Sequence, residues 1–88
     1  MKYLVSTPSQ LSHALRSARK ARGLSQDSAG ALVGLLPKTI SGLENHPGSA
    51  SIDSLMKLLS ALGLELVLEP KEADDASIKA GSKPNEEW

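Results

Sequence analysis

Cysteine is absent from the 88 residues, which excludes disulfides, thiolate metal sites and cysteine nucleophiles. Its absence also leaves no mark of an oxidising compartment. No stretch approaches the ~18 consecutive apolar residues of a membrane-spanning helix. The start, Met1-Lys2-Tyr3-Leu4-Val5-Ser6, lacks the apolar run of a signal peptide, so the chain is expected in the cytoplasm with no membrane partner. His13 and His46 have no ligand spacing around them and read as surface or capping residues, so neither metal nor cofactor is expected. Serines are plentiful, yet none is framed by glycines or partnered by a base, and Asp74-Asp75 lies in a polar stretch unsuited to fixed geometry. No enzyme is expected.

Net charge is also lacking, at zero, which taken alone argues against a nucleic-acid binder. The distribution reverses that reading. Residues 1–63 hold seven basic side chains (Lys2, Arg16, Arg19, Lys20, Arg22, Lys38, Lys57) against three acidic ones (Asp27, Glu44, Asp53), a net +4. Residues 64–88 hold three basic against seven acidic side chains, a net −4. A basic binding domain followed by an acidic tail accounts for the split. The length suits one compact domain plus that tail, with boundaries at 1–69 and 70–88. A core this small gains from oligomerisation.

The order of capping residues, apolar stripes and glycines predicts a mainly α fold of four to five helices. Thr7-Pro8-Ser9-Gln10 is a capping box with proline at the first helical position. Leu11, Ala14, Leu15 and Ala18 then recur at helical spacing as a buried stripe, with Arg16, Arg19 and Lys20 together on the other side of the wheel. Gly23 ends this helix. Ser25 caps a short second helix over 26–33, which Gly34 stops, and a third runs over 37–44, burying Ile40 and Leu43. Residues 45–49, Asn-His-Pro-Gly-Ser, form a turn. A fourth helix opens at Ser51, with Ile52, Leu55, Leu58, Leu59 and Leu62 as its apolar stripe, and Gly63 closes it. Leu64, Leu66 and Leu68 then alternate with Glu65, Val67 and Glu69, the period of a half-buried strand.

A lone strand cannot satisfy its own backbone. Residues 2–6 of the same chain are one partner, and the same strand of a second subunit is the other; the second is favoured because a small core gains most from it. Leu64, Leu66 and Leu68 are then dimerisation residues of a homodimer. After Pro70 the composition turns polar and acidic, which predicts a disordered tail.

Residues 24–44, LSQDSAGALVGLLPKTISGLE, resemble the phage-repressor/Cro-type (Xre-like) helix-turn-helix at Leu24, Ser25, Gln26, Gly34, Thr39, Ile40, Ser41 and Glu44. Gly34 permits the left-handed turn, and Gly30 sits where a small residue lets two helices approach. In such motifs the second helix enters the major groove and shows its N-terminal residues to base edges. The resemblance implies Lys38 and Ser41 as base readers, with Leu36 or Pro37 touching a thymine methyl. Gln26, Thr39 and Asn45 are placed to bind phosphate, with Arg16, Arg19 and Lys20 adding sequence-independent attraction. Two positions depart from the pattern: Leu36 stands where a serine-like N-cap is usual, and Gly42 where a longer polar side chain is common. Leu36 lies four residues before Ile40, which leaves core and contact both open.

Trp88 is the only tryptophan and ends the acidic stretch Asn85-Glu86-Glu87. With the capping box, the Leu-Ser-Gln motif, the leucine-rich fourth helix and the strand, this ending makes the whole chain resemble HipB-type antitoxins. The resemblance implies a symmetric dimer with a shared β cap on palindromic operator DNA upstream of its own operon. It also implies a HipA-like serine/threonine-kinase toxin as partner, with Trp88 and Glu87 docking on it. Two further readings stand beside it: a stand-alone repressor without a toxin, and an interaction adaptor that does not bind DNA.

Overall fold

The structure, a computed structural model, describes residues 2–71. Four helices follow in order: α1 (Pro8–Ala21), α2 (Gln26–Val33), α3 (Pro37–Asn45) and α4 (Ile52–Ala61), with a 3-10 turn at Pro47–Ser49 between the last two. Each start follows from local chemistry. The Thr7 hydroxyl accepts from the Gln10 amide while the Gln10 side chain accepts from the Thr7 amide, the full capping box. Ser25 and Ser51 cap α2 and α4 by accepting from the amides of Ser28 and Ser54.

α2 packs on α3 and α4, and α1 packs on α3. Leu15 and Ala18 of α1, Ala29 of α2, Ile40 and Leu43 of α3, and Leu58, Leu59 and Leu62 at α4 form one buried cluster. Tyr3, Leu11, Leu24, Leu35, Leu55 and Leu64 close over its edges. Ile52 departs from the expected apolar stripe of α4, being 70% exposed. It is the first helical residue of α4 and lies before Leu55, the first residue of the stripe that packs on the core. With Met56, four residues on and also exposed, it leaves an apolar outer face on α4.

The turn between α2 and α3 is the tightest part of the fold. Gly34 caps α2 in the left-handed region (φ 73°), and the Leu35 amide donates back to the Gly30 carbonyl at 2.8 Å. A Cβ on Gly30 would collide with the Leu35 carbonyl oxygen, so only glycine lets the backbone fold back this closely.

The strand expected at residues 64–68 is absent from the single chain: among the described residues none is in a strand, and 64–71 have no regular structure. The reason is the one that made a partner necessary. Residues 2–6 form no strand with it, so no ladder exists to define one. Leu64 still packs on the core, while Leu66, Val67 and Leu68 are exposed. The expected tail, with Glu87 and Trp88, lies outside the described residues except for Pro70 and Lys71.

Two glycines should respond oppositely to alanine. Gly30→Ala is expected to cost about 1–3 kcal/mol through the clash with the Leu35 carbonyl. Gly42→Ala, inside α3 and facing open space, is expected to stabilise by roughly 0.5–1 kcal/mol. Urea unfolding of the two variants checks both signs.

Candidate nucleic-acid interface

α3 has two faces of different chemistry. Ile40, Leu43 and Glu44 point inward and are buried. Pro37, Lys38 and Asn45 are exposed, with Thr39 and Ser41 half-buried beside them. Leu36, the residue before the helix, is extended (φ −75°, ψ 152°) and 69% exposed. The structure thus takes Leu36 out of the core and places Leu35 there instead. Pro37, Lys38 and Ser41 share one side of α3 by helical spacing, and Leu36 is exposed just before the helix.

That outward side is held by an ion pair on the opposite one. Glu44 is 1% exposed. The Arg19 guanidinium grips its carboxylate with two bonds, Nε to Oε2 at 2.6 Å and Nη2 to Oε1 at 3.0 Å, and its Nη1 donates to the Leu24 carbonyl at 2.9 Å. Gln26 Nε2 donates to Glu44 Oε1 at 3.2 Å. Arg16 Nη2 bonds the Glu44 carbonyl and Asn45 Oδ1, both at 3.0 Å, and Ser12 Oγ donates to the same carbonyl. A bidentate guanidinium fixes direction as well as charge, so α1, the start of α2 and the end of α3 meet at a single carboxylate.

Burial pushes the Glu44 carboxyl up, but the bonds from Arg19 and Gln26 and the charges of Arg19 and Arg16 outweigh it and hold the group below its ordinary range. The same bond from Glu44 raises Arg19, against the opposing effect of burial.

Each residue expected at a phosphate has a definite place. Lys20 is exposed on α1. Arg16 is half-buried and joined to the end of α3. Arg19 is committed to Glu44 and Leu24, so its charge is neutralised inside the domain; the helical wheel grouped it with Lys20 without showing that α3 would cover it. Gln26 and Thr39 are half-buried, and Gln26 has one amide proton on Glu44. Asn45 Nδ2 donates to Ser41 Oγ at 3.1 Å, which orients that hydroxyl. The motif supplied Glu44 only as a closing glutamate. Its burial had a signal, since Ile40, Leu43 and Glu44 share helical spacing, and a carboxylate on a core face requires a cationic partner. Among the described residues no group of three or more histidine, aspartate and glutamate side chains could hold a metal ion, and no helix is long and apolar enough to cross a membrane.

Removing one partner of a buried pair strands the other, so Glu44→Gln is expected to cost about 3–5 kcal/mol in urea unfolding. The pH dependence has a definite sign. With its folded-state value lowered, the Glu44 carboxyl stabilises fully above the ordinary glutamate value of about 4.3 and loses that contribution as pH falls through the folded value. Unfolding curves of wild type and Glu44→Gln should therefore draw together below about pH 4.

The profile of the Helix-turn-helix family matches residues 15–68. Antitoxin HipB of Escherichia coli O6:H1, strain CFT073, is 32% identical over 82 residues, covering 93% of this chain and 85% of the relative. A chain of the solved HipA-HipB-O2-O3 complex superimposes with a TM-score of 0.75 at 28% identity, over 78% of this chain and 97% of that one. A chain of the HipB-O4 20mer complex gives a TM-score of 0.73 at 28% identity, over 76% and 94%. A helix-turn-helix held by a buried ion pair, together with this likeness along nearly the whole length, places the chain in the HipB antitoxin family.

Proposed function

We propose that this chain is the DNA-binding antitoxin of a HipBA pair, which represses its own operon as a homodimer on palindromic operator DNA and neutralises a HipA-like serine/threonine-kinase toxin. The observation that carries the reading is the likeness of its fold to HipB in complexes with HipA and with a 20-mer. The exposed edge of α3 supports it, because that edge is what a helix in the major groove would present. Lys38 and Ser41 read bases in this account, with Pro37 and Leu36 in apolar contact. Lys20, Gln26, Thr39 and Asn45 meet the phosphate backbone, joined by the outer edge of the Arg16 guanidinium. Arg19 acts as a positioning residue through Glu44.

Dimerisation uses residues 64–68, where Leu66 and Leu68 are exposed beside the core-packed Leu64. A second copy of the segment would supply the missing ladder and cover these leucines. Residues 1–69 form the DNA-binding and dimerisation domain, and 70–88 the acidic arm whose Glu87 and Trp88 dock on the toxin. The protein works in the cytoplasm and carries no catalytic activity of its own.

The test is fluorescence anisotropy of the full-length chain on the DNA upstream of its gene. Lys38→Ala with Ser41→Ala is expected to weaken binding by roughly 10- to 1000-fold and to relax sequence preference. Lys20→Ala is expected to weaken all sequences alike and to lower the salt slope by about one per subunit. Affinity unmoved by the double variant and by salt would overturn the groove reading. A neighbouring gene product that neither co-purifies with the chain nor is toxic would overturn the antitoxin role.

A further inference from the structure

α1 ends in two arginines that reach different parts of the domain. Arg19, in its last turn, grips the Glu44 carboxylate near the end of α3 with bonds of 2.6 and 3.0 Å. Arg22, the C-cap of the same helix, donates from Nη1 to the Leu62 carbonyl at 3.2 Å. Leu62 is in turn the C-cap of α4. A cation at the last carbonyls of a helix is favoured by the helix dipole as well as by the bond itself. Gly63 admits the approach, since a side chain there would run into the same guanidinium. Its φ of 70° turns the chain out of α4, and the Leu64 amide donates back to the Leu59 carbonyl at 2.8 Å. From Leu66 to Leu68 the segment is exposed. Leu62 and Gly63 are thus the root of the segment proposed to pair two subunits.

The core also joins α1, α3 and α4, but apolar contact is non-directional. Arg19 and Arg22 add direction at two points about one turn apart on a single helix. Resting on the DNA-binding and dimer readings above, we infer that Arg22 is a positioning residue for operator spacing. It holds the exit of α4 at a set angle to α1, and through Arg19 and Glu44 at a set angle to α3. The separation and relative angle of the two α3 helices in a dimer follow from that. A helix-turn-helix dimer reads half-sites about 34–36 Å apart. One added base pair shifts a half-site by about 3.4 Å and turns it by about 35° around the duplex. A dimer with a firmly held seam accepts one spacing, and a dimer with a swivelling seam accepts several. Arg22 needs no contact with DNA in this account.

The experiment uses the full-length protein and a palindromic duplex that it selects from a random pool. The duplex is remade with one or two base pairs added to or removed from its centre, and binding is followed by fluorescence anisotropy. The wild type is expected to bind each altered spacing at least roughly 10-fold more weakly than the selected one. Arg22→Met keeps an unbranched side chain and loses the donor. It should narrow that preference to about threefold, while affinity for a single half-site stays within about twofold of wild type. Arg22→Lys, which retains a donor, should recover part of the preference. Gly63→Ala, which displaces the guanidinium from the other side, should narrow it as Arg22→Met does. Lys57→Ala breaks only the exposed pair with Asp53 and should leave the spacing profile unchanged. An Arg22→Met profile that matches wild type overturns the inference. So does a profile flattened equally by Lys57→Ala, or a loss of half-site binding in Arg22→Met, since either marks general loosening. If the wild type sediments as a monomer, the dimer reading falls and takes the inference with it; if it selects no duplex, the DNA-binding reading does the same.

Discussion

Burying the Glu44 carboxylate is the demand that the rest of this domain is arranged to meet. An unpaired carboxylate inside so small a core would cost more than any one apolar contact there returns. Arg19 meets it from α1, Gln26 from the start of α2, and Arg16 and Ser12 hold the carbonyl of the same residue. α1 and α2 are thereby both tied to the C-terminal end of α3, while Ile40 and Leu43 tie its middle to the core. The outward face of α3 owes its orientation to groups on its inward face. A rigid recognition surface needs such support, because contact geometry on DNA is set by the angle at which the helix is presented.

The parts of the fold governed by local chemistry were legible in the sequence. Thr7-Pro8-Ser9-Gln10, Ser25, Gly34 and Ser51 each decide a helix boundary within a few residues of themselves, and the observed helices begin and end where these residues place them. Contacts between residues far apart in the chain were not legible. Arg19 and Glu44 are 25 residues apart, and no local rule says which of the clustered cations on α1 turns inward. Leu36 was open between core and surface because its spacing to Ile40 is helical, whereas the backbone enters α3 extended and redirects the side chain. Residues 64–68 have the alternation of a strand, but a strand is a property of a pair, and one chain supplies one member. In the candidate interface, the motif located the exposed face of α3; it did not separate the cations that face outward from those that hold the helix.

The charge of the domain can be located once the pairs are known. Of the seven cations in residues 1–63, Arg19 is neutralised by Glu44 and Lys57 pairs with Asp53 at 3.3 Å on the surface of α4, which leaves five cations against Asp27, still a net +4. The pairs leave the basic excess intact, on Lys2, Arg16, Lys20, Arg22 and Lys38, as a DNA-binding surface requires. Two such domains in a dimer would double it, and the exposed leucines after α4 are the apolar seam proposed for that dimer.

The outward edge of α3, held from behind by Arg19 and Glu44, is the surface proposed to meet DNA. Amide chemical-shift mapping of the full-length chain, titrated with its own upstream duplex, tests it most directly. The largest changes are expected at Leu36, Lys38, Thr39, Ser41 and Gly42, with the Arg19 Nε–H signal present and unmoved throughout. Changes centred on Ile52 and Met56 of α4, with α3 unperturbed, would contradict it.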